Sequence, residues 1–293
     1  MDDFIVSVII PTLDAQECIQ QLLLRLQQQT QRPDEIIVVD SSSSDNTIHE
    51  VRKVPGITLF QIPRSQFNHG GTRDWALRHS KGDFVLFLTQ DAMPSDNYYV
   101  ARLLQPFSDG LVAMTSGRQL PRDDARPFER LIRQRNYPNK PRVTHLSDVP
   151  MLGIKAFFVS DVCAAYRREF YSAVGGFEQS VLTNEDMLIA AKFLQSDYAI
   201  AYQPSATVIH SHNLSFRQQF RRNYLEGVEI ARHSELLSNV SLTSEGLSLV
   251  KYVVAELFST KQFFELPWFF LDCFARFAGN KLGLIRGKFI SKR

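Results

Sequence analysis

The chain has 293 residues, of which 44% are hydrophobic and 22% are charged, so one large domain, with or without a smaller appendage, is expected and a disordered chain is excluded. Its 33 basic and 31 acidic residues give a net charge of +2, which supplies no electrostatic reason to expect nucleic acid as a partner. Three widely spaced cysteines without a CxxC pair argue against a disulfide framework or a zinc site and favour a reducing cytosol.

The amino-terminal part of the chain alternates between strand and helix patterns. Its start, Met1-Asp2-Asp3, is acidic and runs directly into the β-branched segment 6–10, so no export signal is expected. A helix is predicted between this segment and a second strand at 35–40, because apolar residues recur there at helical spacing. Both strands are continuously apolar, which is typical of strands covered on two faces in a largely parallel sheet.

The pattern then repeats toward residue 88. A short capped helix near 45–51, a strand at 57–62, a helix at 71–80 and a strand at 84–88 are predicted in turn. Asp40, the serines at 41–44 and Asp91 each follow a predicted strand. Because ligands of open α/β sheets bind outside the carboxyl ends of the strands, we expect these polar residues to share one site.

The later part of the chain has a different character. Residues 118–149 are rich in Arg, Pro and Asp without periodicity and predict a long irregular excursion. A helix is predicted at 187–194 and a strand at 199–209, and helices at 216–233, 244–260 and 268–286 are expected to form an appendage that begins at residue 213.

Two features of this appendage concern membranes. Segment 263–277 is interrupted by three charged residues, and it therefore does not meet the need of a spanning helix for about 20 mostly apolar residues. Residues 273–293 carry six cations and no acid among apolar residues, namely Arg276, Lys281, Arg286, Lys288, Lys292 and Arg293. Such a segment either lies on an anionic membrane surface or packs its apolar face on the rest of the protein.

Several short motifs in this order resemble the family 2 inverting glycosyltransferases of GT-A fold. They are Ser7-Val8-Ile9-Ile10-Pro11-Thr12, Ile37-Val38-Val39-Asp40-Ser41-Ser42, Asp91 after its strand, Val174-Gly175-Gly176-Phe177, Asn184-Glu185-Asp186 and Val208-Ile209-His210. The segments 67–73, 90–92 and 220–227 further resemble the branch of bacterial rhamnosyltransferases that use dTDP-L-rhamnose. The resemblance implies an α/β fold with a mostly parallel, Rossmann-like sheet, a GT-A catalytic domain over residues 1–212 and a helical region over residues 213–293.

The resemblance also implies residue roles. The nucleotide sugar would contact Pro11, Thr12, Asp40, Ser42, His69, Arg73, Gln90 and Arg222. Asp40 would accept a hydrogen bond from the base, although an Asp in such a loop also caps turns. Arg73 would hold either a phosphate or the catalytic carboxylate bidentately, with a glycine pair before it permitting a close backbone approach. His69 either lines the sugar pocket or packs.

Metal and catalytic roles follow from the same resemblance. Asp91 and His210 would bind Mg²⁺ or Mn²⁺, with His212 as the alternative to His210, and Gln90-Asp91-Ala92 departs from the Asp-x-Asp of many relatives. Asp186 would be the general base, and Glu185 its supporting neighbour. The competing interpretation is that Asn184 caps a helix whose first turn holds both acids to favour its dipole.

These inferences predict transfer of L-rhamnose from dTDP-L-rhamnose to a lipid-linked saccharide in the synthesis of a bacterial surface polysaccharide. The alternatives are a UDP-hexose donor, or a catalytically inactive binding or assembly subunit suggested by the single carboxylate of the metal motif. The expected location is the cytoplasm, peripheral at the inner face of the cytoplasmic membrane, and the appendage is a possible site of homodimer formation. The sequence does not specify the acceptor sugar or the linkage.

Overall fold

The first four strands alternate with helices, as the apolar runs predict. The computed structural model describes residues 4–179, 181–237 and 244–290. The elements of this half are β1 (Val6–Thr12), α1 (Ile19–Gln27), β2 (Glu35–Asp40), α2 (Thr47–Arg52), β3 (Ile57–Gln61), α3 (His69–His79) and β4 (Phe84–Leu88).

The strands that follow in the chain differ widely in length. The elements of this second half are β5 (Met93–Pro94), α4 (Tyr99–Leu104), β6 (Val112–Leu120), α5 (Pro127–Asn136), β7 (Arg142–Thr144), α6 (Val149–Leu152), β8 (Cys163–Arg167), α7 (Arg168–Ala173), α8 (Glu185–Gln195) and β9 (Ala199–Ile209). Three long helices follow, α9 (Phe216–Arg232), α10 (Ser244–Ser259) and α11 (Leu266–Ile290).

The nine strands found in the described residues form one sheet in the order β3-β2-β1-β4-β8-β6-β9-β5, with β7 also paired to β9. Strands β1 to β4 pair in parallel, so their carboxyl ends meet at one edge. Strand β8 runs antiparallel to both β4 and β6, whereas β6 and β9 are parallel. The expectation of a mostly parallel sheet therefore holds for the first half, and the second half is mixed.

Apolar residues cover both faces of this sheet. In β1, Val8 and Ile10 pack with α1 on one face, whereas Ile9 packs with α3 and α8 on the other, because successive side chains of a strand point to opposite faces. Burial on two faces explains why the strand has no polar alternation. The layered α/β arrangement leaves the loops at the strand ends to form a site.

The expectation of an irregular excursion over residues 118–149 was wrong in part. Strand β6 continues to Leu120, helix α5 occupies ten residues and β7 follows it. Phe128 and Ile132 of α5 are buried against Val253, Leu257 and Phe269 of α10 and α11. Only two buried apolar residues mark this basic helix in the sequence, and helices α10 and α11, which are distant in the chain, cover them.

Helices α9 and α11 pack with their backbones almost touching. A Cβ atom added at Gly279, Gly283 or Gly287 would collide with a backbone carbonyl of α9, which shows that this face of α11 needs residues without side chains. No helix among the described residues is long and apolar enough to cross a bilayer. Lys292 and Arg293 of the predicted basic segment lie outside the described residues, and the domain division at residue 213 stays a prediction.

Candidate active site

A cavity of about 620 Å³ opens at the carboxyl ends of β1, β2 and β4, and we call it the strand-end cavity. Its position follows the rule that open α/β sheets bind ligands at this edge. Eight of the residues selected from the sequence line it, namely Pro11, Thr12, His69, Arg73, Gln90, Asp91, His210 and Arg222. Ser41 and His212, neighbours of selected residues, line it as well.

Asp91, His210 and His212 form a compact cluster in the wall of the strand-end cavity. The Nε2 atoms of His210 and His212 lie 3.5 and 3.4 Å from Oδ2 of Asp91 and 3.1 Å from each other. One carboxylate oxygen and two imidazole nitrogens, all within 4.8 Å of one another, suit a divalent transition ion. The imidazoles favour Mn²⁺ over Mg²⁺. Both histidines considered from the sequence as alternative ligands lie beside Asp91.

The orientation of His210 is set by Gln119 of β6. Arg133 and the Nδ1–H of His210 both donate to Oε1 of Gln119, the latter at 2.9 Å. Because Nδ1 carries the proton, Nε2 presents a lone pair to the cluster, as a metal-binding imidazole does. Burial lowers the pKa of His210 to about 3 despite Asp91, so this ring stays neutral. Gln119 was not selected from the sequence, since nothing near it in the chain marks it.

Gln90 directly precedes Asp91 in the loop after β4. Its side-chain amide donates to the carbonyl of Leu13 at 3.0 Å and accepts from the Leu13 N–H at 2.7 Å. These two hydrogen bonds join the loop after β4 to the loop after β1. Gln90 thus holds two walls of the cavity together next to the Asp91-His210-His212 cluster.

Asp40 and Ser42 do not line the strand-end cavity. The Asp40 carboxylate is fully buried and accepts from the hydroxyls of Thr12 and Ser43 and from the Ser43 N–H, which are loop-capping contacts. Ser42 is exposed with a left-handed backbone, and its hydroxyl donates to the Ile62 carbonyl at 2.9 Å. In this structure the Asp40 side chain supports the cavity floor through Thr12, with no face open to a base.

Arg73 lies beneath the cavity and is 5% exposed. Its guanidinium donates to Oε1 of Glu185 at 2.8 Å and to the His69 carbonyl at 3.1 Å, while Nε lies 3.8 Å from Oδ2 of Asp161. Arg73 therefore holds carboxylates, by single contacts, and the expected bidentate pairing is absent from the described contacts. Gly70 lets the start of α3 lie close to Glu185, because a Cβ atom added at this position would lie 3.0 Å from the Glu178 carbonyl oxygen and 3.4 Å from Cβ of Glu185.

Asp161 lies with Glu185 beside Arg73, and it was not selected from the sequence. It is 2% exposed, accepts a 2.6 Å hydrogen bond from the Tyr166 hydroxyl, and burial raises its pKa well above the ordinary value. Asp161 comes just before β8, whose antiparallel direction brings its start to the edge where β4 ends. A prediction of that antiparallel pairing would have indicated the residue.

Asp186 lies beside Asp161 in the first turn of α8 and is partly exposed. Its Oδ1 accepts the Met187 N–H at 2.8 Å, and Oδ2 accepts the Asp161 N–H at 3.3 Å. Burial and then the neighbouring Glu185 raise its pKa to about 6. Asn184, expected as a helix cap, has a left-handed backbone and makes no capping bond with its side chain. Glu185 is buried against Arg73, so it does not reach toward a ligand.

His69 and Arg222, the other two selected residues that line the cavity, come from α3 and α9. His69 contacts the Phe67 ring with centroids 5.0 Å apart, and loss of hydration followed by Arg73 lowers its pKa to about 4, so it is neutral near pH 7. Arg222 of α9 is 57% exposed and donates to Glu226 at 2.9 Å. Asp186 is not among the residues that line the strand-end cavity, but it interacts electrostatically with His69 and Arg73, which line it.

Comparison with known proteins gives matches over most of the chain. The family model described as glycosyl transferase family 2 matches residues 7–175. The chain is 38% identical over 280 residues to the O-antigen chain rhamnosyltransferase RfbN of Salmonella typhimurium, covering 95% of this chain and 89% of that protein. It is 39% identical over 259 residues to the O-antigen chain rhamnosyltransferase WbaN of Salmonella anatum, covering 88% and 82%.

Solved structures support the fold. The mannosyltransferase PcManGT from Pyrobaculum calidifontis, in complex with GDP-Man and Mn²⁺, superposes with a TM-score of 0.63 at 18% identity and covers 98% of this chain and 86% of that one. S. aureus TarS 1-349 in complex with UDP-GlcNAc gives a TM-score of 0.60 at 20% identity, covering 89% and 75%. The GT-A fold expected from the sequence is confirmed.

Proposed function

The chain belongs to glycosyl transferase family 2 and is a glycosyltransferase, and we propose that it transfers L-rhamnose from dTDP-L-rhamnose to a lipid-linked saccharide in O-antigen assembly. The observation that carries this proposal is the identity of 38% with RfbN across 95% of the chain. The donor nucleotide and the lipid on the acceptor are the parts that need an experiment. A UDP-hexose is the competing donor.

Asp186 is the general base of the proposed reaction. Its carboxylate takes the proton of the acceptor hydroxyl as that oxygen forms a bond to the anomeric carbon, and the bond from this carbon to the diphosphate oxygen breaks on the opposite face. A single displacement inverts the anomeric configuration. A pKa of about 6 suits this role, since a base is most effective when its pKa lies close to the working pH.

Asp91, His210 and His212 would hold a divalent ion. The chemistry that the ion supplies when bound is positive charge beside the diphosphate. Arg222 adds a second cation on the α9 side of the cavity, where preorganised charge stabilises a departing anion. Arg73 keeps Glu185 away from the reacting atoms, and the backbone N–H of Asp161 holds the Asp186 carboxylate by a hydrogen bond.

We place the protein in the cytoplasm at the inner face of the cytoplasmic membrane, where a lipid-linked acceptor is available. The outward face of α11 supports this location. Several of its large apolar residues are exposed, with Phe274 at 69%, Phe289 at 67% and Phe277 at 62% exposure, and Lys281 and Lys288 lie among them. Basic and apolar residues on one helix face suit an anionic lipid surface.

The test is incubation of the purified protein with Mn²⁺, a lipid-linked saccharide and either dTDP-L-rhamnose or a UDP-hexose. Release of dTDP together with a product heavier by one rhamnose is the expected result. Turnover of the UDP sugar alone would replace the donor assignment. The Asp186→Asn variant, which keeps the shape of the side chain, should bind dTDP-L-rhamnose as the wild type does and transfer no sugar.

A further inference from the structure

A cationic cavity lies beyond the strand-end cavity, outside the site described so far. It has a volume of about 340 Å³, and four basic residues line it, Arg135, Lys140, Arg142 and Lys155. No carboxylate of the described part of the chain lines it. Several cations on one concave surface favour an anion, and arginine binds phosphate oxygens with geometric precision.

Arg142 offers unused hydrogen-bonding capacity in this cavity. One terminal nitrogen of its guanidinium donates to the Lys155 carbonyl at 3.0 Å, whereas Nε is buried without a partner among the described residues. A buried donor without a partner is costly, and an anion or an ordered water in the cavity would relieve that cost. Tyr202, whose hydroxyl donates to the Pro138 carbonyl at 3.0 Å, holds the opposite wall in place.

A third cavity connects this region to the reaction centre. This bridging cavity, of about 200 Å³, shares His212 and Arg222 with the strand-end cavity and shares Asn136 and Phe158 with the cationic cavity. The shared residues make the three cavities neighbours, so an elongated molecule in the cationic cavity would extend toward the Asp91-His210-His212 cluster through the bridging cavity. Its other lining groups are mostly polar, including Glu129, Asn223 and Glu226, which suit the hydroxyls of a saccharide.

The cationic cavity is also adjacent to the apolar helices. Arg135 at the end of α5 donates to the Ser248 hydroxyl of α10 at 2.9 Å and lies 5.6 Å from the centre of the Tyr252 ring. Helix α5 packs through Phe128 on Phe269 of α11. Helices α10 and α11, the cationic cavity, the bridging cavity and the strand-end cavity thus follow one another in that order.

We infer that the cationic cavity binds the phosphate or diphosphate through which the acceptor saccharide is joined to its lipid. The saccharide then extends through the bridging cavity, with its terminal hydroxyl toward Asp186. This inference rests on the proposed function and adds to it an anchoring subsite that recognises the anionic end of the acceptor. It makes the charge of the acceptor a determinant of substrate choice.

The experiment uses two acceptors with the same saccharide, one carrying a short alkyl diphosphate and one an uncharged alkyl group. The variant Arg135→Gln/Lys140→Gln should raise KM for the diphosphate acceptor about tenfold, as expected for loss of charge-assisted contacts, and leave KM for the neutral acceptor and kcat unchanged. The control Arg52→Gln/Lys81→Gln removes two cations near the opposite edge of the sheet and should change neither KM. Equal changes for both acceptors, or no change for either, would overturn the inference.

A binding measurement separates this inference from the proposed function. Calorimetry with inorganic diphosphate in EDTA should show binding to the wild type that weakens about tenfold in Arg135→Gln/Lys140→Gln. Diphosphate binding that is equal in the two proteins would contradict the subsite even if rhamnose transfer is confirmed.

The variant should also bind phosphatidylglycerol vesicles as the wild type does. Loss of vesicle binding with an unchanged acceptor KM would assign the cavity to phospholipid headgroups and overturn the acceptor assignment.

Where the double variant folds poorly, Lys140→Glu replaces it. Lys140 is exposed at the rim of the cavity, so reversal of its charge leaves the core untouched. The same selective rise in KM for the diphosphate acceptor is expected. A KM equal to that of the wild type would count against the subsite.

Discussion

Three carboxylates and one guanidinium share the space beneath the strand-end cavity. Arg73 donates to Glu185, lies near Asp161 and interacts electrostatically with Asp186, and Asp161 and Glu185 are buried from water. Like charges held together in a poorly hydrated site cannot all be ionised, so at least one carboxyl retains its proton. The pKa of Asp161 rises furthest and that of Asp186 rises to about 6, which leaves Asp186 ionised at neutral pH.

This arrangement predicts the pH dependence of transfer. Because Asp186 must be ionised to accept a proton, kcat/KM should fall about tenfold per pH unit below a pKa of about 6 and level off above it. In Glu185→Gln the neighbouring negative charge is removed and Arg73 is released, so the acid limb should move to lower pH. A pH–rate profile of each protein measures this shift.

Glu178→Gln is the matched control. Glu178 pairs with Lys192 at 2.6 Å and does not belong to the cluster, so its variant should keep the wild-type limb. An acid limb at the same pH in wild type and Glu185→Gln would contradict the assignment of that limb to Asp186.

The metal cluster gives a second prediction at this scale. Gln119→Leu should weaken Mn²⁺ binding about 10- to 100-fold, because residues that orient a metal-binding histidine affect affinity to this extent. His210→Ala should weaken it at least as much. His49→Ala, which changes an exposed histidine on α2, should have no effect. Calorimetric titration with Mn²⁺ checks all three, and equal affinity in His210→Ala and the wild type would contradict the site.

At the scale of elements, α9 and α11 form the closest helix pair in the described structure. Gly279, Gly283 and Gly287 recur every fourth residue along α11, where they meet the carbonyls of Phe220, Tyr224 and Val228 on α9. This spacing places the three glycines on one face of the helix. The absence of side chains on that face lets the backbones meet and leaves Phe274, Phe277 and Phe289 exposed on the opposite face of α11.

Two glycine substitutions test this packing. Gly283→Ala should lower the free energy of unfolding by about 1–3 kcal/mol, because its Cβ would overlap the Tyr224 carbonyl. Gly246→Ala on α10 should raise it by about 0.5–1 kcal/mol, since no heavy atom lies within 4 Å of the added Cβ and alanine favours a helix. Urea denaturation measures both, and equal effects of the two substitutions would contradict the packing argument.

At the scale of the whole molecule, the outward face of α11 and the cavities define a common orientation. The helix carries no acid between Cys273 and Ile290, while Arg276, Lys281, Arg286 and Lys288 are distributed along it. An anionic bilayer would meet apolar rings and cations together, and each nearby cation adds about 1 kcal/mol of attraction. A lipid-linked acceptor would then approach from the side on which the cationic cavity adjoins α5 and α10.

Vesicle binding tests this orientation. Phe274→Glu/Phe277→Glu should weaken cosedimentation with phosphatidylglycerol vesicles at least about tenfold, because two apolar rings no longer enter the lipid surface. Leu111→Glu, at a residue that is 52% exposed on another surface, should leave vesicle binding unchanged. A variant that binds vesicles normally but loses self-association in analytical ultracentrifugation would identify this face as a dimer contact.

Local sequence was enough for much of this molecule. Apolar runs with β-branched residues predicted β1 to β4, helical spacing predicted α1, and Asp91, three residues after β4, was predicted from the sequence as a metal ligand. These features depend on neighbours in the chain, because the direction of a side chain is set by the period of its own strand or helix. The family motifs are local in the same sense.

Contacts between distant segments account for the rest. Asp161 joins Asp186 and Arg73 because β8 runs antiparallel beside β4, and Gln119 orients His210 because β6 and β9 are neighbours. Helix α5 is stable where α10 and α11 cover it, and the cationic cavity combines residues from α5, β7 and β9. Strand pairing and helix packing are cooperative properties of the folded chain, so no window of sequence contains the information that brings these side chains together.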